Sequence, residues 1–161
     1  MEASKDLIVL RPEQIQLIED LALVHESMGL QPAMSKIMAL LTVSDEVDLT
    51  FDQIRVTLNL SKSAISQALN QLLVTRRIAY KTRLGGRKRY FHIRVSDWEA
   101  QIMEQFTSIA QLMEVYKRVL SRRPDATKEF NHRLEAMIYF LSFIHNQANA
   151  LYRRYQEEKK G

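Results

Sequence analysis

The chain has 161 residues, 46% hydrophobic and 26% charged, with only 4 Gly and 3 Pro; this supports a packed core with long helices and argues against a disordered or all-β chain. It contains no Cys, which excludes disulfides and cysteine-based metal sites and suits a reducing, cytoplasmic compartment. Net charge is +4, no run of 18 apolar residues predicts a membrane span, and Met1 to Asp6 mixes charge in a way that does not begin a signal peptide.

Pro12 and Glu13 suit a first helical turn. Ile15, Ile18, Leu21 and Ala22 then recur at helical spacing up to a stop at Gly29, predicting a helix from about Pro12 to Met28. Pro32 opens a second helix with Met34, Ile37, Met38 and Leu41 on its apolar stripe, ending near Ser44 and Asp45. Val47-Asp48-Leu49 reads as a brief strand. Thr50 and Gln53 form a capping box for a third helix, Phe51 to Leu58, with Phe51, Ile54 and Leu58 inward. Asn59-Leu60 is a tight break, and Asn tolerates the left-handed conformation such a turn needs. Ser61 caps a fourth helix, Lys62 to about Thr75. Ile65, Ala68, Leu69, Leu72 and Leu73 lie on one side of it, and Lys62, Ser63, Ser66, Gln67 and Asn70 on the other.

After Arg76 and Arg77 the period changes from helical to alternating. Ile78 to Arg83 and Arg89 to Val95 read as two strands joined by Leu84-Gly85-Gly86-Arg87-Lys88, a hairpin signal. Ser96 is the expected cap of a long helix with Asp97 and Glu99 in its first turn. Ile102, Phe106, Ile109, Met113, Tyr116 and Leu120 repeat along it in alternating steps of four and three. Pro124 enforces a connection over Ser121 to Asp125. A last helix, about Ala126 to Glu157, carries Phe130, Leu134, Met137, Leu141, Ile144, Ala148, Leu151 and Tyr155 at the same spacing, the pattern of helix-on-helix packing. Glu157 to Gly161 is expected to fray. The organisation expected is an N-terminal helix over residues 1–30 that joins a dimer interface, a DNA-binding domain over 31–96, and a helical dimerisation region over 97–161.

Charge is segregated. Between Gln53 and Ser96 there is no Asp or Glu, and the same stretch holds Arg55, Lys62, Arg76, Arg77, Lys81, Arg83, Arg87, Lys88, Arg89 and Arg94. A solvated surface mixes signs; a one-sign block points to a polyanion. Two short helices around a tight turn, followed by a Gly-tipped basic hairpin, predict a winged helix-turn-helix. In that arrangement the second helix lies in the major groove and its N-terminal residues reach base edges. Ser61, Lys62, Ser63, Ser66, Gln67 and Asn70 are the candidate reading residues: Gln and Asn pair with adenine edges, Lys with guanine, and Ser with either. Ser61 and the free N–H groups of that helix start also suit a phosphate. Arg87, Lys88 and Arg89 at the hairpin tip suit a narrow minor groove. Arg76, Arg77, Lys81 and Arg83 suit phosphates, and the first two also the helix dipole.

The segment S-K-S-A-I-S-Q-A-L-N-Q-L (Ser61 to Leu72), the wing G-R-K-R-Y-F (Gly86 to Phe91) and Trp98 opening a long helix resemble the MarR-like transcriptional regulators, closest to the GbsR-type branch. The resemblance spans about Pro12 to Tyr155. It implies a homodimer on a palindromic operator, Lys62 to Asn70 as recognition helix and Arg87 to Arg89 as wing contacts. Many MarR proteins carry an Asp that braces a wing Arg; this wing contains no acid. The branch is named for control of glycine-betaine synthesis genes, which would make choline a candidate effector.

The eight stripe residues of the last helix, Phe130, Leu134, Met137, Leu141, Ile144, Ala148, Leu151 and Tyr155, are the expected dimer interface, since two long amphipathic helices cannot bury both stripes in one short chain. The dense aromatics in this half read either as core and interface filling or as a cage for a small cation. His25, His92, His132 and His145 lack metal-ligand spacing, and no nucleotide-binding or hydrolase motif is present, so neither cofactor nor catalysis is expected. The reading is a mainly α, winged helix-turn-helix regulator, a repressor acting as a cytoplasmic homodimer on double-stranded DNA. Its competitors are a winged-helix protein-interaction module and a non-specific architectural DNA binder. Any small-molecule effector is not identified by the sequence.

Overall fold

The computed structural model describes residues 8–160. Met1 to Asp6, read above for a signal peptide, and Gly161 lie outside the described residues. The elements run α1 (Pro12–Ser27), α2 (Pro32–Val43), β1 (Leu49–Thr50), α3 (Phe51–Leu58), α4 (Lys62–Val74), β2 (Ile78–Thr82), β3 (Arg89–Ile93), α5 (Trp98–Leu120) and α6 (Lys128–Glu158). The chain divides into two compact units after Val95.

The first unit is built around α2, which is apolar on almost every side and is buried on almost every side, from Met34 through Leu41 except Lys36. α1 packs on α2 through Ile18 and Ala22. Ile15, expected on that stripe, is exposed, and Gln14 is buried in its place. The cause is capping. Gln14 Oε1 accepts the Arg11 backbone N–H at 3.0 Å, while Nε2 donates to the Val43 carbonyl at 3.2 Å and to Asp45 Oδ1 at 3.1 Å. These bonds hold position 14 inward, and the buried amide is satisfied.

Thr50 and Gln53 start α3 reciprocally: Gln53 N donates to Thr50 Oγ1 at 3.2 Å and Thr50 N donates to Gln53 Oε1 at 2.8 Å. Ile54 is fully buried, whereas Phe51 and Leu58 flank the core rather than enter it. Asn59 takes the left-handed conformation, φ +49°, that ends α3 and turns the chain into α4. Ser61 Oγ accepts from Ala64 N at 3.2 Å to cap α4, which buries Ile65, Ala68, Leu69 and Leu72.

The sheet is antiparallel in the order β1-β3-β2. β2 and β3 form the hairpin, with Ile78 opposite Ile93 and Thr82 opposite Arg89. Gly86 N donates to the Arg83 carbonyl at 2.9 Å, and Gly85, third in this four-residue turn, has φ +76°, which a side chain would resist. β1 lies one or two residues later than expected. Leu49 must point into the core opposite Phe91, which leaves Val47 exposed outside the strand. Three helices, a tight turn into α4 and a sheet-anchored hairpin make this unit a winged helix-turn-helix.

The second unit is an antiparallel hairpin of α5 and α6. Met113, Leu134 and Ile138 are buried in its seam. His145 Nδ1 donates to the Phe106 carbonyl at 2.9 Å, and the Asn149 amide lies 2.9 Å from His145 Nε2. Ser96 is not the cap of α5: a 3-10 turn, Val95–Asp97, intervenes, and the Ser96 hydroxyl is spent on Asp97 Oδ1 at 3.1 Å. The tail does not fray at Glu157. α6 runs through Glu158, and Lys159 Nζ donates to Glu99 Oε1 at 2.7 Å. No helix among the described residues is long and apolar enough to cross a membrane.

Candidate nucleic-acid interface

α4 presents two opposed faces because its apolar residues recur at three- and four-residue steps. Burying Ile65, Ala68, Leu69 and Leu72 forces Lys62, Ser63, Ser66, Gln67 and Asn70 outward, and all five are exposed, as is Ser61. The N-terminus of α4 is therefore bare of acid and lined by hydroxyls, with Ser61 Oγ 3.1 Å from Ser63 Oγ. Unpaired N–H groups at a helix start carry partial positive charge, so this end favours an anion.

The hairpin folds back toward this face. A cleft of about 290 Å³ is lined by Ser66 and Asn70 of α4 together with Arg87, Lys88 and Arg89. Two groups of expected DNA contacts, far apart in sequence, thus share one surface. Their lining partners Phe51, Leu69, Leu73 and Phe91 form its apolar floor.

The wing cations differ in what they touch. Arg89 lies over the Tyr80 ring at 4.7 Å, and Arg83 over the Tyr90 ring at 4.2 Å. The strand register places Tyr80 opposite Phe91 and Lys81 opposite Tyr90, so the two arginines are laid against opposite faces of the hairpin. The side chains of Arg87 and Lys88 make no ion pair, hydrogen bond or ring contact among the described residues. Lys81, expected at phosphates, is engaged inside the protein: its ammonium pairs with Asp48 Oδ2. His92 Nδ1 lies 3.3 Å from Asp48 Oδ1, an ion pair when the ring is protonated. The acid that the wing lacks is thus supplied by Asp48, just before β1, which reaches both strands of the hairpin. No feature of the basic block in sequence marks this residue.

Arg76 and Arg77 close α4. Arg76 N donates to the Leu73 carbonyl at 3.0 Å and Arg77 N to the Leu72 carbonyl at 2.9 Å, with Arg76 at φ +55°. This is the six-to-one and five-to-two bonding that ends a helix through a left-handed residue, a position Gly usually takes. Their side chains are left at the negative end of the α4 dipole.

The eight α6 residues expected at a dimer interface are divided by the structure. Leu134 is buried in the seam of its own chain, so it is not free to meet a partner. Leu141, Ile144 and Ala148 are half-buried, and Phe130, Met137, Leu151 and Tyr155 are exposed. Tyr139, Phe140 and Phe143, outside the expected stripe, are also exposed. Among the described residues no group of three or more His, Asp or Glu side chains converges to hold a metal ion.

No family model and no curated protein matches the sequence. Solved structures do. A protein described as a transcriptional regulator aligns over 91% of this chain and 99% of its own, at 23% identity and a TM-score of 0.73. MepR, a transcription regulator of the Staphylococcus aureus multidrug efflux pump MepA, aligns over 80% of this chain and 93% of its own, at 18% identity and a TM-score of 0.41. The adhesin competence repressor AdcR from Streptococcus pyogenes aligns over 86% and 99%, at 20% identity and 0.39. The last two scores are too low to support an argument. The first establishes the fold, a mainly helical winged helix-turn-helix with long C-terminal helices.

Proposed function

We propose that this chain is a sequence-specific, double-stranded-DNA-binding transcription regulator that acts as a homodimer. α4 enters the major groove and the β2–β3 wing lies along the neighbouring backbone or minor groove. The observation that carries the reading is the shared surface on which Ser66 and Asn70 line one cleft with Arg87, Lys88 and Arg89, inside a stretch of chain without a carboxylate. Gln67 and Asn70 would read base edges. Lys62, Arg76, Arg77 and the wing cations would neutralise phosphates, with Lys81 contributing less because Asp48 already holds it.

Dimerisation is supported by exposed apolar side chains on α6: Phe130, Met137, Phe140, Phe143, Leu151 and Tyr155. α1 adds Leu17, Leu23 and Val24, which are also exposed. A dimer would space two α4 helices for a palindrome. We assign repression as the sign of regulation, since occupancy of a promoter suffices for it, and the cytoplasm as the compartment. The placement in the GbsR-type branch rests on the resemblance over Ser61 to Leu72, over Gly86 to Phe91 and at Trp98, and on a wing that contains no acid.

The test is Gln67→Ala. Losing one bidentate side chain should relax preference at one or two base positions by about 1–3 kcal/mol each while leaving other positions unchanged. Unaltered preference at every position would remove α4 from the groove. Light scattering of the purified chain should give twice the monomer mass, and a monomer at micromolar concentration would refute the dimer.

A further inference from the structure

The second unit carries a basic tip that the DNA reading does not use. Residues 117–128, where α5 ends and α6 begins, hold Lys117, Arg118, Arg122, Arg123 and Lys128 against the single acid Asp125. Lys117 pairs with Glu114 at 2.7 Å. An open cleft of about 470 Å³ lies at this tip, lined by Val115, Arg118, Val119, Arg122, Arg123 and Pro124. No acidic side chain among the described residues lines it. Val115 and Val119 are 43% and 42% exposed, which leaves two aliphatic side chains in water beside the guanidiniums.

The three arginines differ in how they are held. Arg123 is half-buried: Nε donates to Asn131 Oδ1 at 2.8 Å and Nη2 to Thr127 Oγ1 at 3.3 Å. Both acceptors are neutral, so this charge is fixed in place and left uncompensated. Arg118 and Arg122 are exposed and make no ion pair, hydrogen bond or ring contact among the described residues. Arg122 N donates to the Val119 carbonyl at 3.0 Å, so the backbone keeps turning past the end of α5 and Arg122 follows Arg118 by about one turn. Cations near a helix C-terminus complement its dipole, and Lys117 and Arg118 in the last turn of α5 already do so. The dipole accounts neither for the two exposed valines nor for a guanidinium held by neutral acceptors.

We propose that this cleft docks a segment of another protein that carries acidic and aliphatic side chains on one face. Its carboxylates, one helical turn apart, meet Arg118 and Arg122, and a leucine-sized side chain lies on Val115, Val119 and Pro124. Charge complementarity sets the sign of the partner, and a guanidinium meets a carboxylate through paired hydrogen bonds. The aliphatic floor selects a protein over a nucleic acid, whose phosphate backbone offers no apolar side chain to bury there. Nor is the patch self-complementary: a second copy set on it by a twofold axis would bring like-charged guanidiniums together. The proposal is independent of the DNA reading, because none of its residues belongs to α4 or to the wing.

The probe is a fluorescein-labelled helical peptide with Glu residues four apart and Leu on the same face, titrated by anisotropy against the full chain. It should bind saturably, and a peptide with Lys in place of Glu should not. A peptide with Ser in place of Leu should bind about fivefold more weakly, as loss of a partly buried aliphatic group implies. Replacing Arg118 and Arg122 together with alanine should weaken the acidic peptide by about tenfold or more. Both side chains are exposed; Val119→Ser probes the floor separately and should also weaken binding, so the test survives a folding defect in either variant. Arg87→Ala combined with Lys88→Ala should leave peptide affinity unchanged. Undiminished binding by the Arg118 and Arg122 variant, or loss of binding in the Arg87 and Lys88 variant, would put the peptide elsewhere and overturn the proposal. Equal binding of the Leu and Ser peptides would also overturn it, because the cleft would then attract any polyanion, nucleic acid included. So would a lower molar mass of the Arg118 and Arg122 variant in light scattering, which would show that a second copy fills the cleft.

Discussion

Replacing Arg87 and Lys88 together with alanine isolates the electrostatic part of the proposed DNA binding. Both side chains are exposed and make no ion pair, hydrogen bond or ring contact among the described residues, so the double variant should be within about 0.5 kcal/mol of the parent in stability. If each neutralises one phosphate, the slope of log affinity against log salt should become shallower by about 1.8, from roughly 0.9 per phosphate. Across a fourfold change from about 50 to 200 mM salt, that corresponds to about a 12-fold difference in how much affinity the parent and the variant lose. Fluorescence anisotropy of one labelled duplex over a potassium chloride series measures both slopes directly. An unchanged slope would show that the wing does not meet phosphates and would refute its assignment. A collapsed melting temperature would show that the two cations support the fold.

Four further outcomes follow from the same geometry. Asp48→Asn should release Lys81 toward DNA, steepening the salt slope by about 0.9 per phosphate gained, with a stability loss below about 1 kcal/mol because the Lys81 partner is 57% exposed; a shallower slope would contradict this. Thr50→Ala removes the cap of α3 and should cost about 1 kcal/mol, read as a fall of roughly 2–4 °C in melting temperature. Leu72→Ala empties a fully buried site beneath the reading face and should cost about 2–5 kcal/mol by urea unfolding. Glu99→Gln tests pH dependence. A carboxyl held low in the folded state contributes stability that is present above its ordinary value and lost as pH falls through the lowered one. The parent should therefore lose melting temperature more steeply than the variant below about pH 4.5.

The elements that sequence revealed most sharply are those with a local chemical signature. Thr50 with Gln53, Asn59 and Ser61 each act within four residues, so the boundaries of α3 and α4 follow from them. The hairpin was equally plain from Gly85-Gly86 between alternating segments. What the pattern missed depends on contacts distant in the chain. Gln14 turns inward because Val43 and Asp45 receive its amide, which no period in α1 records. Asp48 braces the wing from outside the basic block, across 33 residues to Lys81. On α6 the apolar face is wider than one seam. Ile138, with His145 beside it, faces α5, while Met137 is left outward, and a spacing rule cannot distinguish two adjacent apolar stripes. The polar seam residue His145 was hidden for a related reason: it is turned inward by the Phe106 carbonyl, distant in the chain, and Asn149 bonds to it from the next turn of α6. The α4 face was readable because exposure there is the complement of a strong buried stripe.

Specific DNA recognition by a dimer, as proposed, is read by selection of bound duplexes from a randomised pool, followed by anisotropy titration of the selected and a scrambled sequence at one salt concentration. The expected product is a palindrome with half-sites about one helical turn apart, bound at least about a thousandfold more tightly than the scrambled duplex. A pool that shows no enrichment, or equal affinity for both duplexes, would contradict it.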